Sequence, residues 1–152
     1  MNIENRIYLQ AITRQGEVWA QIADYPDYLV SNLGRVFGLK KNQLEKGELS
    51  HNGYRRVPLY KNGKKDNKRV SNLVAAAFCG GLPNGKKVHH INRHRTDDRA
   101  INLIVVTPMQ HRAIHDLYII LGLDYVATLT AEQLYRMCNL VVSCFIKGGE
   151  AA

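Results

Sequence analysis

The sequence predicts an α+β protein, in which a β-rich N-terminal part precedes a strand–loop–strand–helix unit and a final helix. Residues 17–70 alternate β-type side chains with turn residues. Residues 88–115 hold two short apolar runs, a charged stretch between them and a helix start. Apolar residues then recur at helical spacing over residues 134–145. The expected modules are residues 1–70, 71–121 and 122–152.

Turn residues divide the N-terminal part into short strands. Within the lead segment of residues 1–15, we expect Ile7-Tyr8-Leu9 to form an edge strand. Asn32-Leu33-Gly34 separates two further strands. Asn62-Gly63 marks the turn of a hairpin, and Pro58 in its first strand favours an edge or bulged position.

Two helices and two strands are expected next along the chain. Residues 70–78 are alanine-rich and apolar, which predicts a short helix ended by Gly80-Gly81. Strands are predicted at Val88–Ile91 and from Ile101 to Val106. Thr107-Pro108-Met109-Gln110 then combines an N-cap, a proline at the first helical position and a capping-box glutamine, so a helix begins here.

The same signals predict where this helix ends and where the last one begins. We expect the helix to end near Gly122, and Thr130-Ala131-Glu132-Gln133 repeats the capping-box pattern. The C-terminal helix is expected to pack on the domain, with a homodimer contact as the alternative use. A monomer and a homodimer both stay open.

Four histidines and one asparagine form a pattern across the central unit: His89, His90, Asn102, His111 and His115. His111 and His115 are four residues apart on the predicted helix, so both rings lie on one face, as ligands of one ion do. Adjacent strand residues point to opposite faces, so one of His89 and His90 can join this pair while the other serves a separate task. A metal ion plus an independent imidazole is what phosphodiester hydrolysis requires. Asn102 could hold that imidazole or its loop in place.

This pattern, together with Asp98-Arg99-Ala100-Ile101-Asn102-Leu103, resembles an HNH endonuclease of the ββα-metal type. The resemblance implies a ββα-metal (His-Me finger) fold and metal-dependent hydrolysis of DNA phosphodiester bonds, by nicking or double-strand cleavage. It further implies that His90 is the general base and that Asn102 orients it. The implied metal ligands are His89, His111 and His115.

The resemblance extends upstream of this unit. Glu17-Val18-Trp19 and the stretch Tyr28-Leu29-Val30-Ser31-Asn32-Leu33-Gly34-Arg35-Val36 are similar to a small module found in front of HNH domains in phage and intron-encoded nucleases. The two regions together cover roughly residues 16–116. The resemblance therefore implies a phage-encoded or homing-type enzyme whose residues 1–70 bind DNA.

The ligand set departs from that of many phage homing-type members, which often carry an acid at the position of His89 and an asparagine at that of His111. Three imidazoles suit zinc, nickel, cobalt or manganese better than magnesium, which prefers oxygen ligands. We expect one divalent ion, with magnesium, manganese, zinc and nickel as the candidates.

The charge distribution predicts a polyanionic partner, and the resemblance makes this double-stranded DNA. The net charge is +8, and residues 35–112 contain 17 Lys and Arg against 5 Asp and Glu. Asp97 and Asp98 could hold the loop between the strands by capping turns or pairing with its arginines. The basic residues expected to contact DNA are Arg35, Arg55, Arg56, Lys61, Lys64, Lys65, Lys68, Arg69, Arg93, Arg95 and Arg99.

Composition argues against several other classes of protein. Cys79, Cys138 and Cys144 lack C-x-x-C spacing, so we expect apolar core residues rather than a zinc knuckle. No signal pattern and no apolar run of the ~18 residues that cross a bilayer is seen, which predicts a cytoplasmic protein, of a bacterial host if phage-encoded.

Two other functions remain open on the sequence. A non-catalytic DNA-binding protein with a structural zinc would need a closed four-ligand shell and metal-dependent folding. Three ligands on one face leave a position open for phosphate, which favours catalysis. A nuclease acting on RNA would use the same chemistry. The target sequence and the biological role (homing, phage competition or genome processing) are not encoded in these motifs.

Overall fold

A computed structural model describes residues 1–148, and the side chains of residues 1–143. It confirms the predicted α+β class. Cys144 was predicted as a core residue and Phe145 as part of the apolar helix face, and both side chains lie outside the described ones. Residues 149–152 of the C-terminal module lie outside the described residues. In chain order the elements are α1 Ile3–Ile12, β1 Trp19–Ile22, β2 Tyr25–Ser31, β3 Val36–Gly38, β4 Gln43–Leu44, β5 Glu48–Leu49, β6 Arg55–Lys61, β7 Lys64–Arg69, α2 Val70–Phe78, β8 Lys87–His90, a 3₁₀ turn Ala100–Asn102, β9 Leu103–Val106, α3 Pro108–Leu121, α4 Leu123–Thr128 and α5 Ala131–Gly148.

The first element is a helix, so the edge strand predicted at Ile7-Tyr8-Leu9 is wrong. Asn2 caps this helix, because its side-chain oxygen accepts a hydrogen bond of 2.8 Å from the Asn5 backbone N–H. Leu9 is buried, whereas Ile3 and Ile7 are exposed. A cap and two buried residues, Asn5 and Leu9, thus decide the conformation of a segment whose short apolar run also fits a strand.

Two antiparallel sheets follow, in the strand orders β1-β2-β3-β4 and β5-β6-β7. The predicted hairpin is present, and its turn residues Asn62 and Gly63 have φ values of 52° and 76°, as a type I′ turn requires. Pro58 lies opposite Asn67 of β7. On the other side β5 pairs only with the start of β6, so the missing N–H of Pro58 disrupts no ladder there.

Two hydrophobic cores meet at β9. The first holds side chains from β1, β2, β3, β6 and α2, and the second holds side chains from β9, α3, α4 and α5. Successive residues of a strand point to opposite sides, so Leu103 belongs to the first core and Ile104 to the second. The strand–loop–strand–helix unit therefore lies where the cores meet. The module boundaries at 70/71 and 121/122 stay predictions.

The predicted caps fix the helices around this unit. Thr107 and Gln110 form both hydrogen bonds of the capping box at the start of α3, and α3 ends before Gly122, whose φ is +83°. Thr130 and Gln133 form the same reciprocal pair before α5. The short helix α4 was not expected from the sequence. Gln110 also donates a 2.7 Å hydrogen bond to Asn139 of α5.

The C-terminal helix packs on the domain as predicted, with Leu134 and Cys138 fully buried in the second core. Its alternative use as a dimer contact stays a prediction. No helix within residues 1–148 has the length and hydropathy that crossing a bilayer requires.

A buried ion pair holds the N-terminal module together. Arg35 bonds Glu17 through both guanidinium Nε, at 2.8 Å, and Nη2, and its Nη2 also donates to the Ile12 carbonyl at 2.7 Å. The Arg35 guanidinium lies 5.3 Å from the Trp19 ring centroid. Burial is the largest single influence and raises the pKa of Glu17. The hydrogen bonds from Arg35, the Arg14 backbone and Ser31, together with the charge of Arg35, outweigh burial, so the pKa is lowered on balance.

Arg35→Met should destabilise the protein, because the Glu17 side chain is fully buried and would lose its cation. We expect the free energy of unfolding in urea to fall by about 3–5 kcal/mol. The double variant Glu17→Gln/Arg35→Met serves as the control and should recover part of that loss. A single variant that unfolds at the wild-type urea midpoint would contradict this role.

The same pair predicts a dependence of stability on pH. Because the folded-state pKa of Glu17 is lowered, its contribution is complete above the ordinary value of 4.5 and is lost as the pH falls below it. Urea midpoints measured between pH 3 and 6 should therefore fall more steeply with acid in the wild type than in Glu17→Gln. Parallel curves for the two proteins would refute the assignment.

Candidate active site

Three histidines form a cluster that can hold one metal ion. Ring nitrogens of His89, His111 and His115 all lie within 4.8 Å of one another. β8 supplies His89, and α3 supplies the other two one turn apart, as the spacing predicted. The donor set is all imidazole nitrogen, which suits zinc or nickel better than an ion that prefers oxygen. The residues therefore fit a divalent ion.

The electrostatics of the cluster favour metal-binding imidazoles. Burial, assisted by the nearby His111 and His115, lowers the pKa of His89 to about 3. Burial also lowers the pKa of His111, again with a contribution from His115. Both rings are consequently neutral at pH 7, which is the form that binds a metal ion.

Tyr118 fixes the tautomer of His89. The Tyr118 hydroxyl donates a 2.7 Å hydrogen bond to the carbonyl of Ile91. Its oxygen lies 2.7 Å from His89 Nε2. Since a hydroxyl has one proton, the oxygen must accept from Nε2–H, and the free lone pair of His89 lies on Nδ1. An outer hydrogen bond of this kind orients a metal-binding imidazole.

His90 is held separately from the cluster. It is 5% exposed, and its Nε2 lies 3.1 Å from Oδ1 of Asp98, which is itself 2% exposed. The ring of Tyr54 lies beside His90, with 5.9 Å between centroids. His89 and His90 thus have different partners, as their alternation on the strand predicted, although both reach one cleft.

Asn102 is bonded to the loop and not to His90. Its Oδ1 accepts from the backbone N–H of Asn92 at 2.9 Å, and its Nδ2 donates to the carbonyl of Asp97 at 2.8 Å. Of the two alternatives that the sequence left open, Asn102 thus bonds the loop and not the imidazole, and its role in orienting His90 stays a prediction. Asn102 precedes β9 in a 3₁₀ turn and braces the chain on either side of the loop, while Asp98 bonds the imidazole.

The histidines and two arginines line a cleft of about 280 Å³. The guanidinium of Arg93 lies 5.4 Å from the ring centroid of Tyr118, and that of Arg95 lies 5.2 Å from the centroid of Tyr54. Arg93 has a φ of 60°, an uncommon conformation for a non-glycine residue and one that recurs at functional sites. Cationic side chains and imidazoles with free lone pairs therefore line the same cleft.

Two family models match the chain, a NUMOD4 motif at residues 17–60 and an HNH endonuclease at residues 74–113. The matched order is the order of the two modules expected from the sequence. Residues 74–113 belong to the HNH endonuclease family.

Phage proteins resemble the chain over more than half its length. The DNA endonuclease I-HmuI of Bacillus phage SP01 is 36% identical over 90 residues, covering 59% of this chain and 52% of the relative. The H-N-H endonuclease F-TflII of Escherichia phage T5 is 33% identical over 93 residues, covering 60% and 48%. The chain aligns with about half the length of these relatives.

A solved structure agrees with the same assignment. It is described as DNA binding and cleavage by the HNH homing endonuclease I-HmuI, and it aligns with a TM-score of 0.61 at 31% identity. The alignment covers 69% of this chain and 60% of that chain. The ββα-metal architecture expected for the HNH region is thereby confirmed.

Several arginines and lysines predicted to contact DNA have partners within the protein. Arg35 pairs with Glu17, Arg99 donates two 2.7 Å bonds to Asp97 outside the cleft, and Lys68 bonds Asp66 at 2.8 Å. Arg56 is half-buried. Arg69 lies 4.3 Å from the Tyr54 ring centroid, and Arg55 bonds Asp98. Of the residues predicted to contact DNA, three lie exposed at the hairpin tip: Lys61, Lys64 and Lys65.

Three residues near the site were missed by sequence reasoning, or given another role. Tyr118 follows His115 by three residues, so the helical spacing that grouped the histidines could have included it. Asp98 was considered as a partner for loop arginines. Its bond to His90 spans only eight residues, but its bond to Arg55 spans 43 and leaves no local signal. The sequence around Tyr54 shows nothing beyond its basic neighbours and does not indicate that this ring lies beside His90.

Tyr118→Phe should weaken metal binding, because His89 would lose the acceptor that fixes its tautomer. We expect the affinity for zinc or nickel, measured by calorimetry on the purified protein, to fall about 10–100-fold. Tyr125→Phe, which removes the hydroxyl of an exposed tyrosine on α4, is the matched control and should bind as the wild type does. Equal affinities for the two variants would disprove the role of Tyr118.

Proposed function

We propose that this protein is a metal-dependent endonuclease that hydrolyses DNA phosphodiester bonds. One observation carries the proposal: His90 lies in the same cleft as the three-histidine cluster yet is bonded to Asp98 rather than to that cluster. Metal-assisted hydrolysis requires a bound ion and a separate general base, and a set of metal ligands beside an independently held imidazole supplies both. The phage relatives named as DNA endonucleases support DNA as the substrate.

His90 is the general base in this proposal. A carboxylate only accepts hydrogen bonds, so His90 Nε2–H donates to Asp98 and the lone pair of Nδ1 remains free. Nδ1 removes a proton from a water molecule as the water oxygen attacks phosphorus. The P–O3′ bond breaks, and the leaving 3′ oxygen takes up a proton. The cationic side chains of Arg93 and Arg95 line the cleft and bind the phosphate.

His89, His111 and His115 hold the divalent ion. When bound, the ion supplies stabilisation of negative charge on the phosphate and on the leaving oxygen. The all-nitrogen donor set favours nickel or zinc over magnesium. His115 is exposed, so the cluster opens towards the cleft and the substrate. Asn102 keeps the loop and the start of β9 in place around His90.

The basic hairpin binds the DNA backbone. Lys61, Lys64 and Lys65 are exposed at its tip, and a two-stranded ribbon of this kind fits a groove of the duplex. The names of the relatives also favour a homing or phage-encoded role for the enzyme. A structural zinc site without catalysis is the competing function, and the assay below distinguishes it.

His90→Ala should lose most cleavage while retaining DNA binding. We expect conversion of supercoiled plasmid to nicked or linear DNA to slow by about 10²–10⁴-fold, in assays with magnesium, manganese, nickel and zinc. His51→Ala replaces an exposed histidine outside the cleft and is the control. Cleavage by His90→Ala at the control rate would exclude this base. Absence of cleavage by the wild type with every ion, with metal-raised thermal stability, would favour the structural zinc.

Replacing the three tip lysines should weaken DNA binding uniformly across sequences. Each phosphate contact contributes about 0.9 to the slope of log K against log salt, so Lys61→Gln/Lys64→Gln/Lys65→Gln should reduce that slope by up to about 3. Fluorescence anisotropy over a salt series measures it. The matched control Arg6→Gln/Arg14→Gln/Arg136→Gln removes three exposed charges outside the basic region. Equal slopes for both triple variants would rule out the hairpin as the contact.

A further inference from the structure

The N-terminal half of the chain contacts the loop that holds the proposed base. The turn between β2 and β3 lies against the segment before β9, and the backbone N–H of Ala100 donates a 2.8 Å hydrogen bond to the carbonyl of Asn32. Gly34, in the same turn, is buried. The two halves are thus joined by direct backbone contact next to Asp98.

Gly34 fits this junction for two physical reasons. Its φ of +77° belongs to the left-handed region that side-chain-bearing residues rarely adopt. A Cβ at this position would also lie 2.9 Å from Asp98 Cβ and 3.1 Å from the Asp98 carbonyl carbon. The absence of a side chain therefore lets the turn lie directly on Asp98.

Arg55 of β6 completes the contact. Its Nη2 donates to the Gly34 carbonyl at 2.5 Å, and its Nε donates to Asp98 Oδ2 at 3.2 Å. The other oxygen of Asp98 lies 3.1 Å from His90 Nε2. A continuous chain of hydrogen bonds thus runs from the β2–β3 turn through Arg55 and Asp98 to the imidazole.

We propose that Arg55 and Asp98 are positioning residues: Arg55 orients the buried carboxylate, which in turn holds His90 in the tautomer whose Nδ1 can accept a proton. This rests on the proposed role of His90 as the base. Arg55, expected from the sequence to contact DNA, then acts through Asp98. Because β6 belongs to the N-terminal half, that half completes the active site of the HNH region.

The isosteric variant Asp98→Asn tests this arrangement. Arg55 can only donate, so it should bind the amide oxygen of the new side chain and leave the amide NH₂ facing His90. That NH₂ requires an acceptor, and the proton of His90 should move to Nδ1, where it blocks the base. We expect plasmid nicking under single-turnover conditions to slow by about 10²–10⁴-fold, with the Kd for DNA within twofold of the wild type.

The double variant Arg55→Met/Asp98→Asn gives the decisive comparison. Without Arg55 the amide can rotate and present its oxygen to His90, so nicking should recover at least tenfold relative to Asp98→Asn. Two residues acting only on stability would make the double variant slower. Asp124→Asn, on the exposed surface of α4, is the control and should nick at the wild-type rate. A double variant no faster than Asp98→Asn overturns the proposal.

The imidazole ¹⁵N signals of His90 report the tautomer without any need for cleavage. We expect the proton on Nε2 in the wild type, on Nδ1 in Asp98→Asn and on Nε2 again in the double variant. A wild-type proton on Nδ1, or one tautomer in all three proteins, overturns the proposal. If Asp98→Asn does not fold, the wild-type spectrum still decides. A wild type with the expected tautomer but no nicking would defeat the proposed nuclease function and leave the hydrogen-bond chain intact.

Discussion

The buried carboxylate of Asp98 joins the two halves of this protein through hydrogen bonds from Arg55 and His90. A charge that is 2% exposed has almost no water to solvate it, so both oxygens need donors from the protein. The fold meets this requirement with one donor from each half. The requirement therefore fixes where β6 lies relative to β8. It also explains why the β2–β3 turn carries a glycine at Gly34, since a side chain there would push the carboxylate away from both partners.

Helix α3 sets the geometry of the other half of the site. Its capping box at Thr107 fixes the first turn, and every later side chain on the helix takes its direction from that start. His111 and His115 consequently face His89, and Tyr118 reaches the same ring from one turn further on. The C-terminal helix supports this arrangement, because Asn139 accepts a hydrogen bond from Gln110 and the two helices share a core. The C-terminal helix thus stabilises the proposed metal ligands, and none of its side chains described up to residue 143 belongs to the histidine cluster.

The sequence predicted the features that depend on local spacing. The hairpin turn at Asn62-Gly63, the capping boxes and the placing of His111 and His115 on one helix face follow from patterns within a few residues. The choice of His89 as their partner came from the resemblance to the HNH family. Features that depend on distant contacts were not predicted. Arg55 was assigned to DNA on its charge, and nothing in the sequence indicates its bond to a carboxylate 43 residues away. For Asn102 the sequence left both the imidazole and its loop open as partners, and the structure gives its amide two backbone partners in the loop. One local signal was also missed: Asn2 caps the N-terminal helix by accepting from Asn5, three residues further on, in a segment whose apolar run also fits a strand.

One strand connects the proposed DNA-binding surface with the proposed base. β6 carries Arg55 at its start and Lys61 at its end, and six residue steps in an extended strand span about 20 Å. Val57 and Leu59, between them, are 2% and 0% exposed, so packing in the first core holds the strand in a fixed position. A phosphate bound at the hairpin tip is therefore held at a fixed distance from the carboxylate that orients His90. In the proposed mechanism, the contacts that bind the duplex and those that position the base are thus set by the same packed element, and the N-terminal module contributes to catalysis as well as to affinity.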